Sequence, residues 1–77
     1  MKAMIWSKNN CKYCSSAKDL LTETGIEYEE RKIGDGWTKE QLLEVVPNAT
    51  TVPQIFLDGE YVGGYTELKA KLLTEAA

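Results

Sequence analysis

Lys2-Ala3-Met4-Ile5-Trp6-Ser7-Lys8-Asn9-Asn10-Cys11-Lys12-Tyr13-Cys14 runs from a short apolar segment through a polar loop to the chain's two cysteines, and a helix-like segment follows. Two thiols separated by two residues can close a disulfide when the first stands at a helix N-terminus and the second lies one turn on. That is the geometry of a redox dithiol rather than of a structural staple. At the start of a helix, unpaired backbone N–H groups and the positive end of the dipole favour a thiolate. A free thiol, which ordinarily titrates near ~8.5, is lowered at such a position. Lys8 and Lys12 add positive charge. Cys11 is the expected nucleophile and Cys14 the expected resolving thiol, with exchange running through a mixed disulfide.

Outward from this stretch, Met4-Ile5-Trp6 is continuously apolar, as in a central strand covered on both faces, and predicts a first strand over residues 2–6. A helix is predicted over 12–24, with Ala17, Leu20, Leu21 and Thr24 at helical spacing and Gly25 closing it. Residues 26–33 predict a second, edge strand. Its charges, Glu29-Glu30 and Arg31-Lys32, read as solvated groups that discourage edge pairing. Thr38-Lys39-Glu40-Gln41 matches a capping box and opens a short helix to about residue 46, which Pro47 ends. Val52-Pro53-Gln54-Ile55-Phe56-Leu57 predicts a third strand entered through a proline. Asp58-Gly59 is a two-residue hairpin signal, and Glu60-Tyr61-Val62 is the antiparallel fourth strand. A last helix is predicted from 66 to about 75, with Leu68, Leu72 and Leu73 on one face. The order is βαβ, helix, ββ-hairpin, helix, which implies a four-stranded mixed sheet with helices on both sides. Trp6 reads as core or rim, Tyr28 and Tyr61 as sheet-face residues, and Trp37 as a packing anchor or a contact for a ligand or protein partner.

The chain of 77 residues reads as one domain, residues 1–77, with ordinary globular composition: 43% hydrophobic and 27% charged. A net charge of −3 argues against nucleic acid as the main partner. No apolar run approaches the ~18 residues needed to span a membrane. The N-terminal apolar segment is too short for a signal peptide, so a cytoplasmic protein is expected. In a reducing compartment a close cysteine pair points to catalysis or metal binding, not to a structural disulfide. A closed zinc site needs four ligands, and with two Cys and no His one subunit cannot build it. An iron–sulfur cluster, which needs four sulfur donors, would have to bridge two subunits.

These residues together resemble the glutaredoxins, small thioredoxin-fold oxidoreductases that use glutathione. The resemblance spans nearly the whole chain. It rests on Ser7-Lys8, on Cys11-Lys12-Tyr13-Cys14, on Thr51-Val52-Pro53-Gln54-Ile55-Phe56 and on Gly63-Gly64-Tyr65-Thr66-Glu67, in that order. It implies a dithiol enzyme with no tightly bound cofactor or metal, in which glutathione restores the reduced pair. Disulfide-containing proteins, ribonucleotide reductase among them, are the implied partners of a monomer. Pro53 is expected to be cis beside the dithiol, turning the Val52 backbone toward the cysteine of glutathione as an added strand would. The resemblance puts Lys8 near the glycine carboxylate, Tyr13 and Tyr65 along the tripeptide, and Thr51 with Val52 beside its cysteine. Thr66 and Glu67 fall at the γ-glutamyl end, a helix N-terminus suited to an α-carboxylate, and Gly63-Gly64 lets the backbone approach the ligand closely. Thr66 also reads as the N-cap of that helix.

Two departures stand out. Lys12 occupies a position where dithiol members usually carry proline, and it replaces rigidity with charge. Glu67 stands where aspartate is common. Two further readings follow from the same residues: a glutaredoxin-like redoxin reduced by thioredoxin reductase, and a carrier of an iron–sulfur cluster held by Cys11 of two chains and two glutathiones.

Overall fold

The computed structural model describes residues 1–76. Its elements, in chain order, are β1 (Lys2–Lys8), α1 (Lys12–Glu23), β2 (Glu27–Ile33), α2 (Lys39–Val45), β3 (Gln54–Leu57), β4 (Glu60–Gly63) and α3 (Tyr65–Ala76). This is the predicted βαβαββα order, and the four strands form one mixed sheet in the order β2-β1-β3-β4. β1 is parallel to β2, antiparallel to β3, and β3 is antiparallel to β4. The architecture is the thioredoxin-like α/β fold. β2 is indeed an edge strand, and β1, with its apolar centre, lies inside the sheet.

Alternation along β1 explains the two layers. Ala3 and Ile5 point to one face and pack with Ala17 and Leu21 of α1, Ile55 and Leu57 of β3, and Leu68 and Leu72 of α3. Trp6 points to the other face, where it meets Leu42 and Val46 around α2. Full burial of a Leu or Ile side chain contributes about 1.5–3 kcal/mol, so the first cluster, which holds Ile5, Leu21, Ile55, Leu57, Leu68 and Leu72, dominates. The last helix departs from the predicted face. Leu68 and Leu72 are one turn apart and buried, whereas Leu73, rotated about 100° further on, is 65% exposed.

Local chemistry sets the boundaries. α1 closes with Ile26 N–H donating to Leu21 O and Gly25 N–H to Thr22 O, a paired closure that keeps Ile26 out of β2. The Thr38 hydroxyl of α2 accepts from Gln41 N–H while Gln41 reaches back to Thr38 N–H, the full reciprocal cap. In the hairpin, Asp58 and Gly59 have φ of 50° and 82°, the paired left-handed conformations of a two-residue turn. β3 begins at Gln54, two residues later than predicted, because Pro53 has no N–H to give the ladder. β1 extends two residues past the prediction through the pairs Ser7↔Lys32 and Lys8↔Ile33.

The β2 charges do more than the sequence suggested. Glu30 Oε2 accepts the buried Ser7 hydroxyl at 2.6 Å and Lys18 Nζ at 3.0 Å. Arg31 lies over Trp37, 4.3 Å from its ring centroid, and 5.3 Å from that of Trp6. Two charges predicted to be merely solvated therefore tie β2 to β1, α1 and the α2-side core.

Candidate active site

Cys11 is the N-cap of α1. Its backbone is extended, with φ −108° and ψ 103°, and its sulfur accepts the Cys14 N–H at 3.2 Å. A donor aimed at the sulfur stabilises a thiolate there in the reduced protein. Cys11 and Cys14 are joined by a disulfide, with Cα atoms 5.2 Å apart, and Cys14 is only 1% exposed. Cys11 is the more open of the two. Of the two, Cys11 is therefore the one open to an incoming sulfur.

The loop before β3 supplies the opposite wall. The Val52–Pro53 peptide is cis, as the resemblance implied, and Cys11 Sγ lies 3.6 Å from the Val52 carbonyl oxygen. Pro53 is buried, while Thr51 is exposed. Gln54 holds this loop: its Nε2 donates to Thr51 O at 2.8 Å and its Oε1 accepts the Tyr61 hydroxyl at 2.5 Å. Sequence reasoning passed over Gln54. The available signal was a polar residue inside an otherwise apolar strand, and it is 93% buried in the fold, being only 7% exposed.

The start of α3 closes the circuit. A Cβ added to Gly64 would stand 3.5 Å from the Pro53 carbonyl oxygen, so the backbones of the two segments are near neighbours. Tyr65 stacks on the largely exposed Tyr13 of α1 with ring centroids 6.0 Å apart. Leu68 N–H donates to Gly64 O, so Gly64 rather than Thr66 caps the helix; Thr66 is the second helical residue, and exposed. The predicted Thr66 cap fails because the chain enters the helix two residues earlier, with Gly64 in the capping position. Glu67 Oε1 accepts Gly64 N–H at 2.7 Å, the back-reaching half of a capping box, over a backbone at Gly63 with φ 124°. Only glycine suits that conformation, and a Cβ there would come within 2.9 Å of the Glu67 side chain.

Cys11, Val52, Pro53, Gly64, Tyr65 and Tyr13 thus form a ring of contacts about the dithiol. Lys8 borders two grooves, one shared with both cysteines and one with Thr51 and Val52. Lys39, which sequence reasoning used only as part of a cap, borders the second groove as well. Trp37 is not in this ring; it packs edge-on against Trp6 at 5.4 Å on the α2 side. Among the described residues no group of three or more His, Cys, Asp or Glu side chains is gathered as for a metal ion, and no helix is long and apolar enough to cross a membrane.

Residues 3–62 match the family model for glutaredoxin. The chain is 38% identical to glutaredoxin 3 of Escherichia coli K12 over 66 residues, which cover 86% of this chain and 80% of that protein. Its fold superimposes on the crystal structure of glutaredoxin 1 from Francisella tularensis with a TM-score of 0.82 at 34% identity, covering 97% and 95% of the two chains. Buckwheat glutaredoxin, solved as a complex with glutathione, superimposes with a TM-score of 0.81 at 26% identity, over 95% of this chain and 69% of that one. The chain belongs to the glutaredoxin family, the glutathione-dependent thiol–disulfide oxidoreductases, and carries the dithiol form of its active site in Cys11 and Cys14.

Proposed function

We propose that this protein reduces protein disulfides and glutathione mixed disulfides, with Cys11 attacking, Cys14 resolving, and glutathione lying along Lys8, Tyr13, Thr51, Val52, Pro53, Gly64, Tyr65, Thr66 and Glu67. The observation that carries the assignment is the asymmetry of the pair: Cys11 caps α1 and is open, while Cys14 lies 1% exposed one turn inside. The Cys11 thiolate attacks one sulfur of a substrate disulfide. A Cys11–substrate bond forms, the substrate bond breaks, and the other substrate sulfur leaves as a thiolate that takes a proton. Cys14 then loses its proton and attacks the Cys11 sulfur. The Cys11–Cys14 bond forms, the second substrate thiolate leaves, and two electrons have passed to the substrate. One glutathione thiolate reopens the pair at Cys11. A second removes the first as glutathione disulfide.

The bound tripeptide is supported by complementary chemistry along the ring. In this reading the Val52 backbone offers an edge to which the glutathione cysteine adds like a strand. Gly64 caps α3 without a side chain, and the first N–H groups of that helix suit the γ-glutamyl carboxylate. Glu67, already holding Gly64 N–H, has lone pairs left for the γ-glutamyl ammonium. Lys8 supplies the charge for the glycine carboxylate. In this reading the protein is a cytoplasmic monomer; one chain supplies both sulfurs, so the dithiol needs no second copy. Ribonucleotide reductase, whose turnover leaves a disulfide, is one protein substrate suggested by the family.

Turnover of bis(2-hydroxyethyl) disulfide with glutathione, glutathione reductase and NADPH tests this reading. Wild type is active and Cys11→Ser is not. Activity retained in Cys11→Ser removes Cys11 as the nucleophile. Unchanged KM for glutathione in Lys8→Ala and Glu67→Ala together would remove the proposed seat of the tripeptide.

A further inference from the structure

Cys11 and Cys14 are bordered on their α1–β2 side by a groove whose rim carries Lys8, Lys12, Lys18 and Lys32. These are four of the chain's nine basic residues, in a protein with twelve acidic ones. Among the described residues no carboxylate lines the groove. Glu30, which pairs with Lys18 at 3.0 Å beneath the rim, offsets one of the four charges. The surplus is local, since the molecule as a whole is negative. The groove shares Cys11 and Lys8 with the glutathione face, but the remaining residues of that face, Tyr13, Val52, Gly64 and Tyr65 among them, lie elsewhere. The dithiol therefore has two different flanks. One is aromatic and backbone-rich. The other is basic and assembled from the end of β1 and the β1–α1 loop, the first two turns of α1 and the end of β2.

We infer that the lysine-rimmed groove docks the acidic flank of protein substrates, and so selects disulfides that have Asp or Glu within a few residues of the reacting cysteine. The inference rests on the dithiol reading above and adds the class of protein it prefers. Charge complementarity identifies the occupant. Cys11, the more open of the two cysteines, lines the same groove, so an anion that also carries a disulfide gains from both. Long polyanions such as nucleic acids gain the groove but meet the net negative charge of the whole chain. A focused local field of one sign raises encounter rates with the complementary partner and does so in a salt-dependent way.

The test uses the full chain, pre-reduced and freed of reductant, and two synthetic peptides that close the same intramolecular disulfide. One carries Asp and Glu beside the cysteines and the other carries Lys. The readout is the ratio of their second-order rates of reduction, which cancels any change in the intrinsic reactivity of Cys11. The acidic peptide is expected to react about tenfold faster at low salt. That advantage should vanish as ionic strength rises from about 0.01 M to about 1 M and the screening length falls from about 30 Å to about 3 Å. Lys32→Glu, at a position outside the glutathione face, should bring the ratio to near one or below, and the milder Lys32→Gln should lower it part of the way. Equal rates for the two peptides at low salt overturn the docking, as does a ratio unmoved by both Lys32 variants. If bis(2-hydroxyethyl) disulfide is turned over while the peptides react alike, the docking alone fails. If neither peptide nor that disulfide is reduced, the redox reading fails and the docking with it.

Discussion

Removing the Ser7 hydroxyl should cost the protein stability in a pH-dependent way that its size does not suggest. Ser7 is fully buried, and its hydroxyl donates to Glu30 Oε2 at 2.6 Å. Hydrogen bonds to charged groups contribute about 1.5–3 kcal/mol net. The Glu30 side chain keeps 30% of its surface exposed and also holds Lys18. Water and Lys18 therefore take over part of the lost interaction in Ser7→Ala, and the low end applies, about 1.5 kcal/mol. For a domain of this size that corresponds to a fall in Tm of roughly 10 °C. The Ser7 bond is the largest influence on the Glu30 carboxyl and, with Lys18 and Lys32, holds it below its ordinary value of 4.5 against the opposing effect of burial. A carboxyl lowered in the folded state contributes stability that is complete above its unfolded value and is lost as pH falls through the folded one. The gap between wild type and Ser7→Ala should thus be full at neutral pH and shrink below the ordinary carboxylate range. Urea titrations of wild type, Ser7→Ala, Glu30→Gln and the double variant, at neutral and at acid pH, measure both the gap and the coupling. A coupling energy near zero at neutral pH, or a gap that persists unchanged into acid, would refute the reasoning.

Three further outcomes are expected. Cys14→Ser should still turn over glutathione mixed disulfides but stall on intramolecular peptide disulfides, leaving a Cys11–peptide adduct visible by mass spectrometry; steady release of reduced peptide would show that Cys14 is not the resolving sulfur. Gly63→Ala forces a left-handed residue into strain and pushes a Cβ to within 2.9 Å of Glu67, so stability should fall by about 1–3 kcal/mol and KM for glutathione should rise, which chemical denaturation and steady-state kinetics read separately. Thr38→Ala removes one half of the α2 capping box and should lose about 1 kcal/mol in urea titration with kcat unchanged, because both sulfurs are carried by the start of α1 and not by α2.

Much of the fold was legible because its signals are local. The capping residues of α2, the Asp58-Gly59 turn and the apolar centre of β1 each depend on a few neighbouring residues, and each forms as read. The dithiol was legible for the same reason, since a spacing of two residues and a helix start are both written in one short stretch. What stayed hidden depends on which chains of atoms meet across the sheet. Glu30 and Arg31 look like solvated edge charges until the parallel register sets Glu30 opposite Ile5 and Arg31 opposite Trp6. Only then does one charge face Ser7 and Lys18 and the next face the two tryptophans. Gln54 and the lysine groove were invisible on the same grounds. Leu73 was misplaced by one position of helical phase, a small error in sequence that turns a side chain to solvent.

The same register explains why three remote segments make one site. β3 runs antiparallel to β1 with Trp6 opposite Gln54, so the residues just before β3 must lie beside the residues just after β1. β4 returns antiparallel to β3 with Gly63 opposite Ile55, which starts α3 at that same end of the sheet. β2, parallel to β1, ends there too, with Lys32 opposite Ser7. The N-termini of α1 and α3 are thereby brought to one edge, and the dithiol stands between a β3–β4 flank and a β2 flank of different chemistry. A two-residue slip of β3 against β1 would keep every side chain on its proper face. It would also carry Val52 about 7 Å along the strand direction, far beyond the 3.6 Å that separates its carbonyl oxygen from Cys11 Sγ. Hydrophobic alternation alone tolerates such a slip. What opposes it is the exchange between Lys2 at the start of β1 and Asp58 of the β3–β4 turn, in which Asp58 N–H donates to Lys2 O at 2.8 Å and Lys2 N–H to Asp58 Oδ1 at 3.0 Å. A hairpin at the opposite end of the strands thus sets the distance at which the chemistry happens.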